Sequence, residues 1–240
     1  MKKKLTWIFW LLPFAVIGSS FFIIGTDAPA FIRWWLAFFL LGIVFLPLSS
    51  RIFKGTRDAG YLFSKPLAMA LASFTMWTLS YLHIMPFSAV SIGMIVIGFA
   101  VGIFASKKAR NSLAAALQEP KSIRLMAIEE TIFTASLLFW SFARGLKPLL
   151  DSLEKPMDFG FMMSLMRTDF LPAKDMWFSQ GSINYYYYGQ YVYAFLSKST
   201  GLQPEEGAPG SWLLARVLLG LLRRLRPVVG HGLPSFFRAG

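Results

Sequence analysis

Five apolar runs, separated by short polar segments rich in Lys and Arg, dominate the first 150 residues. They are Leu5–Gly25, Phe31–Leu48, Leu67–Leu82, Pro86–Ala105 and Thr131–Leu149. A helix that crosses a bilayer needs roughly 17–25 apolar residues. The third run is the shortest, and Gly60–Phe63 can extend it. Unbroken runs of this length distinguish a membrane protein from a large soluble core. The pattern predicts an all-α fold, a polytopic transmembrane helical bundle with an outer-face segment of interfacial helices. It divides the chain into a five-helix membrane region (1–150), an outer-face motif segment (151–204) and an atypical tail (205–240).

Composition supports that reading. Hydrophobic residues make up 55% of the 240, and only 15% are charged. Soluble domains are usually about a quarter charged. The chain has no cysteine, so disulfides and thiolate metal sites are excluded. Its two histidines, His83 and His231, are far apart in sequence, which argues against a metal site built on them.

A net charge of +12 would suggest nucleic acid in a soluble protein. Here the basic residues sit between apolar runs, where they set orientation, and no nucleic-acid-binding signature appears. Lys2, Lys3 and Lys4 place the N-terminus in the cytoplasm. Two later segments fall on the same side: Arg51, Lys54, Arg57 and Lys65, then Lys107, Lys108, Arg110, Lys121 and Arg124. The intervening loops carry little charge. The first run is longer than a signal-peptide core of roughly 7–15 residues, so it reads as an uncleaved anchor. The fifth run then exits on the outer face of the cell membrane, against the pull of Arg144 and Lys147, and delivers the segment after Asp151 there. In the stretch 106–130, Leu113, Ala114, Leu117 and the flanking bases read as a short surface helix on anionic lipid. Glu129 and Glu130 read as the start of the fifth helix, where acids suit the positive dipole end.

The outer segment contains "EKPMDFGFMMSLMRTDFLPAKDMWFSQGSINYYYYGQ", residues 154–190. Pro156 suits the first turn of a helix. Phe159, Met162, Met163 and Met166 follow at helical spacing, predicting a short helix with its apolar face in the bilayer interface. Asp158 near its start has two readings: a stabiliser of the positive helix end, or a general base on a hydroxyl. Four acids (Glu154, Asp158, Asp169, Asp175) and three bases (Lys155, Arg167, Lys174) lie close together in sequence. They would suit a lipid-phosphate substrate, with a divalent cation as a candidate cofactor, or form an ordinary charged interfacial loop.

Six of the eight tyrosines lie between Tyr185 and Tyr193. Tyr is enriched at bilayer interfaces, so some form an aromatic belt and others face a cleft. If the whole stretch is helical, Tyr188, Tyr191 and Phe195 form a lipid-facing stripe. Tyr186 and Tyr193 then form a second stripe toward Asp158 and Asp175.

These residues resemble a known family, the YYY-domain polytopic membrane proteins, which are themselves similar to the GT-C class of glycosyltransferases. The resemblance rests on Glu154-Lys155-Pro156-Met157-Asp158, on Pro172 with Asp175 and Trp177, and on Ile183-Asn184-Tyr185-Tyr186-Tyr187. It covers about 144–204. It implies transfer of a sugar from a polyprenyl-phosphate donor at the outer membrane face. Asp158 is implied as the base and Asp175 as a second catalytic acid. Glu154, Lys155, Arg167, Lys174, Trp177, Asn184, Tyr185, Tyr186 and Tyr187 are implied to bind substrate. The alternative is a non-catalytic transport or scaffold protein whose tyrosines form only a belt. The Gly-, Arg- and Leu-rich tail departs from the family pattern, which points to a truncated or frame-shifted gene end and an amino-terminal fragment. In either reading the partners are the lipid bilayer and, for the enzyme, the sugar donor; nucleic acid is not among them.

Overall fold

A computed structural model describes residues 6–146, 154–178 and 180–202. The N-terminal lysine run, the last residues of the fifth apolar run and the tail lie outside the described residues.

Eight α-helices are present among the described residues: α1 (Leu11–Ile23), α2 (Ala28–Ile52), α3 (Tyr61–Tyr81), α4 (Ala89–Ala105), α5 (Lys107–Gln118), α6 (Pro120–Gly145), α7 (Lys155–Arg167) and α8 (Tyr188–Thr200). Two short 3-10 helices, Trp7–Trp10 and Gly25–Asp27, and an isolated antiparallel bridge between Lys174 and Ser182 accompany them. The fold is all-α. Local chemistry sets several starts. The hydroxyl of Ser88 accepts the Ser91 N–H at 3.2 Å to open α4, and Ser106 does the same for Ala109 at 3.4 Å to open α5, each supplying a missing helix-end acceptor. Prolines 29, 120 and 156 occupy first turns, where an absent N–H costs nothing.

Helix α2 is the hub, packing against α3 most extensively and also against α4, α5, α6 and α8. Its buried face, with Trp34, Trp35, Phe38, Leu41 and Phe45, runs its whole length. Gly42 permits the close crossing with α3: a Cβ there would lie 2.9 Å from Lys65 Cγ and 3.3 Å from Ser64 Oγ. The turn into α3 depends on Gly60, whose φ of +75° and 2.8 Å clearance from the Ser49 carbonyl exclude a side chain.

Helix 25–52, which includes α2, and α6 are each long and apolar enough to cross a membrane; α4 and α5, bent by 82° at Ser106, qualify together as a third, broken span. The first apolar run forms a shorter helix, 7–23. Helix α3 begins six residues before the run read from hydropathy and incorporates Ser64, Lys65 and Pro66. The bend sets α5 nearly perpendicular to α4.

Glu129 and Glu130 do not begin a helix. Helix α6 starts at Pro120, and both acids lie in its interior, fully buried. The apolar stretch after them marks only the second half of the helix. Glu130 is held by Lys65, Tyr61 and Trp35 from other elements, whereas both carboxylate oxygens of Glu129 accept no hydrogen bond among the described residues.

Candidate functional site

The segment 154–202 folds as a cap on one end of the bundle. Helices α7 and α8 pack on each other, and α8 packs on α2, α3 and α4. Tyr193 lies against Trp34 with ring centroids 4.9 Å apart. Tyr191 lies against Phe87 at 5.0 Å, and its hydroxyl donates to the Ser73 carbonyl at 2.9 Å. The Leu171 N–H donates to Ser80 Oγ at 3.1 Å. The Lys198 ammonium donates to the carbonyls of Phe87 at 2.5 Å and Thr168 at 2.8 Å, clasping the loop before α4 to the end of α7. Burial lowers the Lys198 pKa to about 8, with Asp169 opposing the shift.

This packing overturns the expected division of the tyrosines. Helix α8 begins only at Tyr188, so Tyr185, Tyr186 and Tyr187 precede it and share no helical stripe with Tyr193. Tyr191 and Phe195, expected to face lipid, are 0% exposed. Tyr193 is buried on Trp34, and Tyr186 is 77% exposed. The reason is energetic. The bundle end offers Trp34, Phe87 and the Ser73 carbonyl, which satisfy ring and hydroxyl together. Burial accordingly drives the phenols of Tyr191 and Tyr193 far above their ordinary range. Tyr187 and Tyr188 are also raised by burial, and each is partly offset by a hydrogen bond, from Trp77 Nε1 at 3.3 Å and with Ser73 Oγ at 3.1 Å.

The α7 face that buries is also not the one expected. Phe161, Met162 and Leu165 are buried, while Phe159, Met163 and Met166 are half-buried. The cap turns Phe161, Met162 and Leu165 of α7 toward protein, and of the expected apolar face only Met162 is buried.

Asp158 sits in the first turn of α7. Gln190, from the first turn of α8, donates its amide Nε2 to Asp158 Oδ1 at 2.5 Å. Gln190 is buried, and its Oε1 accepts no hydrogen bond among the described residues. Tyr185 lies within electrostatic reach of Glu154 and Asp158. Its hydroxyl donates to Tyr186 at 2.6 Å, and that bond is the chief cause of its raised pKa. The two rings lie 3.9 Å apart. Phe161 bridges this pair to Trp177, with centroids 6.2 Å from Tyr185 and 5.9 Å from Trp177. Trp177 and Tyr186 present largely exposed rings.

The structure thus brings Glu154, Asp158, Trp177, Tyr185 and Tyr186 together, with Lys155 one turn from Asp158 on the same helix. Other residues stand apart. Arg167 is exposed in the last turn of α7, about 14 Å from Asp158 along the axis at 1.5 Å per residue. Lys174 is exposed, and its carbonyl accepts from Ser164 Oγ at 2.7 Å. Asn184 is exposed. Asp175 Oδ1 accepts the N–H groups of Trp177 and Phe178 at 2.7 and 3.0 Å, closing its own turn and aiming Trp177 outward. Among the described residues no three Asp, Glu or His side chains come close enough to hold a metal ion.

Two features have no local signature in the sequence. One is Gln190, which lay inside the motif but gave no sign of its partner 32 residues earlier. The other is a buried polar centre toward the opposite, basic end of the bundle. There Glu130 pairs with Lys65 and accepts from Tyr61 Oη at 2.6 Å and Trp35 Nε1 at 2.9 Å. Glu129 lies beside Asp58, whose Oδ2 accepts the Leu62 N–H at 2.9 Å. Only the pairing of distant segments reveals this centre.

No curated protein and no solved structure matches the chain. Residues 71–207, more than half of the chain and the span from mid-α3 through the whole cap, match the family described as "Uncharacterized membrane protein (DUF2298)", and the chain belongs to that family of membrane proteins.

Proposed function

We propose that the chain is a multi-pass membrane protein with its N-terminus in the cytoplasm and its cap on the outer face, acting there as a GT-C-like glycosyltransferase. The observation that carries this reading is the Asp158–Gln190 pair. One carboxylate oxygen of Asp158 is fixed by Gln190, which orients the other. Beside it, Gln190 Oε1 is sealed from solvent and accepts no hydrogen bond among the described residues. Asp158 itself is half-buried, and its second oxygen is the acceptor offered to a ligand hydroxyl. The exposed rings of Trp177, Tyr185 and Tyr186 offer flat apolar faces on which a sugar stacks.

In this reading an acceptor hydroxyl gives its proton to Asp158 and its oxygen attacks the anomeric carbon of a polyprenyl-phosphate-linked sugar. The bond from that carbon to the phosphate oxygen breaks, and its electron pair leaves with the polyprenyl phosphate. Lys155 is the base nearest in sequence to Asp158 and the candidate to neutralise the departing phosphate. Asp175 supports the site by shaping the Trp177 turn.

The test is transfer of labelled sugar from a polyprenyl-phosphate donor by the reconstituted protein. Asp158→Asn, which keeps the geometry, is expected to lower turnover by about 10²–10⁴-fold with thermal stability unchanged. A stability loss with normal turnover would reduce Asp158 to a tie between α7 and α8. Absence of transfer in the wild-type protein would favour a non-catalytic transport or scaffold role.

A further inference from the structure

At the basic end of the bundle, α2, α3 and α4 leave a groove of about 510 Å³ open to one side. Its floor is glycine. Cβ atoms built at Gly98 and Gly102 meet nothing within 4 Å. Its walls are apolar, including Leu48, Ile95 and Phe99, and Arg51 and Ser106 line its mouth. Along α4 it runs from Ile95 to Ser106, about 16 Å at 1.5 Å per residue. That is about half of a hydrocarbon core roughly 30 Å thick, the depth of one leaflet.

The mouth is strongly positive. Arg51, Lys107 and Lys108 are exposed, and the one ion pair among the described residues, Lys65–Glu130, involves none of them. Arg110, also exposed, donates to the Phe104 carbonyl at the end of α4. Helix α5 turns away from α4 by 82° at the same point, which places its basic first turn where a headgroup would lie.

We infer that this groove is a binding site for an anionic phospholipid of the adjacent leaflet, with one acyl chain on the Gly98–Gly102 floor and the phosphate at Arg51. Glycines spaced by four also form helix–helix contacts in membranes, so a second copy of the chain is the competing occupant. The lipid fits better on two grounds. The groove ends halfway across the bilayer, whereas a partner helix would need the full depth. Its mouth concentrates positive charge, which repels an identical mouth and attracts a phosphate.

The experiment is native mass spectrometry of the full chain in detergent, offered phosphatidylglycerol or phosphatidylcholine with identical chains. The wild-type protein is expected to retain one phosphatidylglycerol in preference to phosphatidylcholine, by about fivefold for one basic residue near a phosphate. Arg51→Gln should abolish the preference while leaving chain binding. Gly98→Leu and Gly102→Leu should remove retention of both lipids. Gly93→Leu, also at an open position but outside the groove lining, should leave retention as in wild type and controls for folding. Equal retention of the two lipids by the wild type, or undiminished retention in the Leu variants, would overturn the assignment. So would a dimer that forms in place of lipid binding and is lost in Gly102→Leu.

Discussion

Replacing Glu130 with Ala removes the acceptor at the centre of the buried polar site. Three donors lose their partner at once: the Lys65 ammonium, the Tyr61 hydroxyl and the Trp35 indole. Lys65 is 4% exposed and Glu130 0%, so water cannot replace the lost contacts without opening the bundle. Breaking a buried ion pair from one side costs about 3–5 kcal/mol, and each stranded neutral donor adds about 1–3 kcal/mol. Glu130→Ala should therefore cost at least about 5 kcal/mol, enough to unfold a marginal protein. Lys65→Met should cost less, about 3–4 kcal/mol, because Glu130 keeps its Tyr61 and Trp35 bonds. The double variant Lys65→Met, Glu130→Met should be milder than the sum of the singles by at least about 2 kcal/mol, since no unpaired charge remains. The assay is reversible unfolding in mixed micelles of mild and denaturing detergent, followed by Trp fluorescence. Additive single effects, or a cost below about 1 kcal/mol for Glu130→Ala, would refute the reasoning.

Three further outcomes are expected. Lys198 in the folded protein loses its proton near pH 8 rather than 10.5, so between those values the unfolded chain holds more protons and stability rises with pH; Lys198→Met should flatten that rise in a Tm series. Tyr191→Phe should lower stability by about 1 kcal/mol through loss of the bond to the Ser73 carbonyl, while Tyr186→Phe, at an exposed ring, should stay within about 0.5 kcal/mol; thermal melts in detergent separate the two. Single cysteines at Lys108 and Gln180, both exposed, should differ in a chain without native cysteine: an impermeant thiol reagent applied to intact cells should label Gln180→Cys and spare Lys108→Cys.

The apolar runs were enough to locate most of the long helices, because burial in lipid or protein demands the same continuous hydrophobicity. They misplaced ends wherever a polar residue was compensated from afar. Lys65 stopped the third run in the sequence, yet α3 includes it, because its counter-charge stands 65 positions later on α6. Glu130 read as part of a helix start for the same reason, its partners lying on α2 and α3. In the outer segment, Asp158 was legible from Pro156 and the helical spacing after it. Its partner was not, since nothing local distinguishes Gln190 from a solvated amide. The tyrosines misled because their amphipathic character suits a bilayer interface and a wet-edged protein core equally. The choice was made by Trp34, Ser73 and Phe87, residues whose proximity no periodicity encodes.

Every anchor of the cap is made long before the cap itself. Tyr193 rests on Trp34, Tyr191 on Ser73 and Phe87, Leu171 on Ser80, and Lys198 on Phe87. A ribosome therefore presents α2, α3 and the start of α4 in full before residue 154 is synthesised, and the cap condenses on a surface already built. Contacts that close such long loops form late. A defect in the first helices should thus be felt as failure of the distant cap to dock, while a defect within 154–202 should leave the earlier bundle inserted but open-ended.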